Sequence, residues 1–181
     1  VIKIPFGKTA KVMITRKSQP FWKILGKYGI FSNVLRVPIS YPPEPFYGNV
    51  LSAMCTPDLK GTQGSFSFYT TRRSNDSARV TGGDVKVVKR QGDTIHTEIE
   101  GPPDPKNPGK YLGCPFSITL HQFEKKATLK VGAKSHSLRV EEFSPWIEVE
   151  FPFGFRKKIS GIVRFCLREL SPEFSLYASP V

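Results

Sequence analysis

"TIHTEIE", residues 94–100, decides the fold. Ile95, Thr97 and Ile99 fall on one side of an extended chain, and His96, Glu98 and Glu100 on the other. This period-two alternation marks a strand with one buried face. Outward from it, nearly every segment after residue 64 has the same character: "SFSFYTT", "DVKVVKR", "FSITLHQF", "ATLKVG", "SHSLRV", "WIEVEFPF", "GIVRFCLREL" and "FSLYASPV". These runs are short and rich in aromatic and β-branched residues, and "TGGD", "RQGD", "VGAK" and the loop "GPPDPKNPGKYLG" (101–113) punctuate them. Many short strands at near-regular spacing predict a β-sandwich or barrel-like portion over 64–181. No internal repeat is present.

Toward the N-terminus only one segment reads as helix. Ser18 is placed to cap it, Pro20 suits its first turn, and Phe21, Ile24, Leu25 and Tyr28 fall at helical spacing before Gly29. "SNVLRVPI" follows as a short strand and runs into the Pro-rich "SYPPEPFYG". Helix, short loop and strand in this order form half of an α/β unit. The expected class is α+β, predominantly β, with a short α/β segment at 1–63 and a β-rich portion at 64–181.

The 181 residues suffice for one sizeable core, or for a larger domain with a small partner, and 39% are hydrophobic. No apolar run reaches the length of a membrane span. The chain opens on "VIKI" without an initiator Met and stops in strand-like "FSLYASPV", so it reads as an excerpt of a longer protein. Its net charge is +12, and no carboxylate precedes Glu44, whereas Lys3, Lys8, Lys11, Arg16, Lys17, Lys23, Lys27 and Arg36 all do. Such a field favours anionic partners such as phosphate esters, nucleic acid or an acidic membrane surface. The plainer reading is a solvated basic face balanced by acidic sequence elsewhere in the longer protein. Cys55, Cys114 and Cys166 are odd in number and show no CxxC spacing, which argues against a disulfide framework or a zinc knuckle and leaves the compartment open.

A complete catalytic constellation is not in these residues. The three histidines form no HxH, DxH or HExxH. His96 with Glu98 and Glu100 has a spacing that suits a metal, but without a second histidine it reads as a polar face. His121 alternates away from Phe116, Ile118 and Leu120 and reads as surface; His136, in "KSHS", reads as a turn. No GxSxG elbow occurs, and "GTQGSF" lacks the GK[ST] of a phosphate-binding loop. What remains is "MCTPDLKGTQGSFSFYTTRR", residues 54–73. Its "GTQGS" can offer backbone N–H groups and the hydroxyls of Thr62 and Ser65 to an anion, or it can be a tight turn that needs glycine. Arg72 and Arg73 alternate, so only one shares a side with Phe66 and Phe68.

The run from Pro20 to Thr71, "PFWKILGKYGIFSNVLRVPISYPPEPFYGNVLSAMCTPDLKGTQGSFSFYTT", resembles the type I phosphodiesterase / nucleotide pyrophosphatase branch of the alkaline phosphatase superfamily. The likeness lies in the "PFW-x-IL" helix, the "RVP" strand end, the proline pair, the "TPD" turn and the "GT-x-G-x-F-x-F" strand. "GPPDP", "SPWIEVEF" and "GIVRFCLRELSPEFSLYASPV" look like the β-rich segment of the same proteins. Ala53 and Cys55 depart from the pattern, which prefers glycines there. The resemblance implies a parent enzyme with an α/β core, two divalent metals (zinc) and a Thr or Ser nucleophile. Those ligands and that nucleophile lie in flanking sequence, and none maps onto a residue here.

On this reading the chain is a non-catalytic part of a metal-dependent phosphodiesterase or phosphohydrolase that shapes or covers its active site. Its partners are the rest of the catalytic domain and a phosphate-ester substrate. The candidate substrate-binding residues are Arg36, Thr56, Asp58, Thr62 and Arg72. Asp58 is expected to accept hydrogen bonds from the residues that follow it, holding the "LKGTQG" turn. The alternative is a basic nucleic-acid- or polyanion-binding module, with Phe66, Phe68, Tyr69, Arg72 and Arg73 interleaving rings and cations.

Overall fold

Pro20 sets the start of the helix α1 (Phe21–Lys27) in the computed structural model, which describes residues 16–53, 56–72, 81–154 and 157–181. Its backbone is extended, and its carbonyl accepts from the N–H groups of Lys23 (3.0 Å) and Ile24 (3.3 Å). Pro20 itself therefore occupies the cap position, with no side-chain cap, and the expected role of Ser18 is corrected. Proline biases the preceding residue toward extended backbone, so the helix cannot begin upstream. Gly29, at φ +73, ends it as expected, and the Ile30 N–H returns to the Leu25 carbonyl at 3.1 Å. The apolar stripe is present but open: Phe21, Ile24 and Tyr28 are all exposed.

After α1, β1 (Ser32–Leu35) pairs in parallel with β2 (Gly48–Leu51), from Ser32 opposite Gly48 to Leu35 opposite Leu51. Gly48 is required there, because a Cβ would lie 2.0 Å from the Ser32 carbonyl oxygen. Only Val34 of this pair is buried. These elements belong to the first of two compact units, which ends at Pro57; the second begins at Asp58. The expected seam lay after residue 63. Residues 58–63 group with the second unit because Leu59 packs on its core and donates its N–H to the Val181 carbonyl at 2.8 Å.

The second unit is all strand and turn among its described residues: β3 (Phe66–Thr70), β4 (Gly83–Val87), β5 (Arg90–Gln91), β6 (Thr94–Pro103), β7 (Tyr111–His121), β8 (Lys126–Val131), β9 (Lys134–Arg139), β10 (Ile147–Pro152), β11 (Lys158–Val163), β12 (Phe165–Glu169) and β13 (Ser175–Ala178). The chain is thus α+β and predominantly β. β5 to β9 form a five-stranded meander in sequence order. A four-stranded sheet has the order β12-β13-β3-β4, with β3 and β4 parallel, and β10 and β11 form an antiparallel pair. All contribute to one core. Phe116 of β7 ties the two large sheets together, its ring 5.2 Å from that of Tyr69 on β3 and 5.4 Å from that of Phe165 on β12.

The alternation read in residues 94–100 holds: Ile95 and Ile99 are buried, His96 and Glu98 exposed. β6 runs on to Pro103 and β7 begins at Tyr111, so the Pro-rich loop is shorter than expected. Gly101 lies under the Phe151 ring of β10, where a Cβ would meet it at 2.4 Å. His136 does not sit in a turn. It lies within β9 on the inward side with buried Leu138, while the turn falls at Gly132, φ +56, which tolerates the left-handed backbone. His121 is half-buried, and its Nε2 lies 2.9 Å from the Thr128 hydroxyl. Among the described residues no helix is long and apolar enough to cross a membrane.

Candidate functional site

Asp58 organises the stretch the sequence singles out. Its Oδ1 accepts the Thr62 N–H at 2.8 Å, and its Oδ2 accepts the Thr62 hydroxyl at 2.5 Å and the Gly64 N–H at 3.3 Å. The Thr62 hydroxyl in turn accepts the Ser65 N–H at 3.1 Å. Gly61 and Gly64, at φ +84 and +97, supply the left-handed positions that let the chain fold back so tightly. The donors that would cradle an anion therefore point at the loop's own carboxylate. The turn is a self-contained Asp-capped loop, and the structure brings Asp58 and Thr62 together within it.

Lys60 anchors this loop to the sheets. Its ammonium lies 2.5 Å from Asp84 Oδ2 on β4 and 3.0 Å from Glu100 Oε2 on β6, and 5.4 Å from the centre of the Tyr111 ring. Glu100 also accepts from Lys86 at 2.9 Å, so two lysines and two carboxylates form one chain of contacts. Burial opposes the charge on Lys60, but its bonds to Asp84 and Glu100 outweigh this and raise its pKa above the ordinary 10.5. Burial likewise opposes the charge on Glu100, and the bonds from Lys86 and Lys60 outweigh it and hold its pKa below the ordinary 4.5. The sequence reading missed Lys60, Asp84 and Lys86. The signal available was a lysine within the turn itself, but its partners are set by strand pairing that alternation does not encode.

The other candidates are dispersed. Arg36, at φ +57 just after β1, is exposed and donates its N–H to the Leu51 carbonyl at 2.8 Å. The Thr56 N–H bonds the Ala53 carbonyl at 3.0 Å, and its buried hydroxyl has no partner among the described residues. Arg72 is exposed beyond β3, with Glu169 3.9 Å away. Arg73 and Cys55 lie outside the described residues. In the aromatic set of the alternative reading, Phe66 and Phe68 are half-buried, but Tyr69 is fully buried and donates its hydroxyl to the Glu98 carbonyl at 2.9 Å. Burial pushes that hydroxyl's pKa up. Tyr69 is core because its strand's inward side meets Phe116, so it cannot stack on a base.

No family model matches the chain, and neither a curated protein nor a solved structure matches it. Among the described residues no three His, Cys, Asp or Glu side chains gather in a way that could hold a metal ion. The two metals that the resemblance implies therefore do not fit on the residues described, and no chemical step is assigned to them.

Proposed function

We propose that the chain is a non-catalytic part of a metal-dependent phosphodiesterase or phosphohydrolase. Its first unit is a segment of the parent's α/β core, and its second is a β-rich part that shapes or covers the active site. The observation that carries this is the apolar surface that the described residues of the first unit leave exposed. Parallel strands are normally covered on both faces, and two strands alone make no stable sheet. Yet β1 and β2 leave Leu35 and Leu51 exposed, alongside Phe31, Tyr47 and the stripe of α1. Such a surface calls for further strands and helices, as the resemblance implies for an α/β core. The metals, their ligands and the nucleophile belong to that core.

The reading as a basic polyanion module keeps the net charge of +12 in its favour. It loses two features, since the "GTQGS" donors are taken by Asp58 and Tyr69 is buried. Hydrolysis of bis(4-nitrophenyl) phosphate with added Zn²⁺ or Mn²⁺ tests the proposal. The chain alone is expected to give no turnover and the parent protein to give metal-dependent turnover. Turnover by the chain alone, or none by the parent, would overturn it.

A further inference from the structure

We draw no further inference here: the strongest candidate, the exposed surface patch on the outer side of the four-stranded sheet where Phe143 and Trp146 lie against the Arg164 guanidinium beside Tyr177, has its cation already held by its own rings, and nothing in the structure shows what covers it.

Discussion

Replacing Glu100 by Gln keeps its shape and removes its charge. The residue accepts from Lys86 at 2.9 Å and Lys60 at 3.0 Å, and the lysine side chains are 20% and 13% exposed. Hydrogen bonds to charged groups contribute about 1.5–3 kcal/mol each when well buried. Two features reduce that figure here: Glu100 is one-third exposed to screening solvent, and Lys60 keeps Asp84. The expected net loss is about 1–2 kcal/mol, a fall in melting temperature of about 3–8 °C for a domain of this size.

The pH dependence has a definite sign. The Glu100 pKa is lowered on folding, so its contribution is present above the ordinary 4.5 and lost as pH falls through the lowered folded value. The Lys60 pKa is raised, so its contribution is present below the ordinary 10.5 and lost as pH rises through the folded value. Thermal unfolding of the two proteins, followed by circular dichroism, should therefore differ near neutral pH and converge as pH falls through the lowered folded value of Glu100. Equal melting near neutrality, or a gap that survives acidification, would refute the network's role. Lys86→Met should cost a similar amount, and the double variant less than the two single losses together.

Asp58→Asn should lower stability by about 1 kcal/mol, because the amide keeps one acceptor for the Thr62 N–H but loses the charge that strengthens all three bonds. In the proposed parent enzyme its turnover should stay near normal; a stable but inactive variant would show that the carboxylate does more than cap the turn. Gly101→Ala drives a methyl into the Phe151 ring and should cost about 1–3 kcal/mol in denaturant unfolding, with no loss if β10 does not pack there.

The strands were legible because burial on one face writes a period of two into the sequence. β6, β8 and β10 show it plainly, with Ile147, Val149 and Phe151 buried between exposed Glu148 and Glu150. The parallel pairing of β3 and β4 was not legible, since alternation says which face is inward but not which strand is the neighbour. For the same reason Lys60, Lys86 and Glu100 meet without any motif. His136 misled because Ser and Lys neighbours imitate a turn, although Leu138 two residues on was the better guide. Ser18 misled because Pro20, two residues on, takes the cap position itself and biases Gln19 toward extended backbone. At the candidate site, the sequence reading placed Asp58 as the acceptor that holds its turn, and the hydrogen bonds agree; Arg36, Thr56 and Arg72 were chosen by motif and chemistry, which carry no distance information.

The central claim is that the open apolar face of the first unit is covered by the parent's catalytic core, and Leu51→Asp tests it most directly. Leu51 is 58% exposed, so in the chain alone the change should alter melting by no more than about 0.5 kcal/mol. In the parent the same carboxylate would be buried without a partner, and metal-dependent hydrolysis of bis(4-nitrophenyl) phosphate should fall by more than about tenfold. Full turnover in the parent variant would contradict the account.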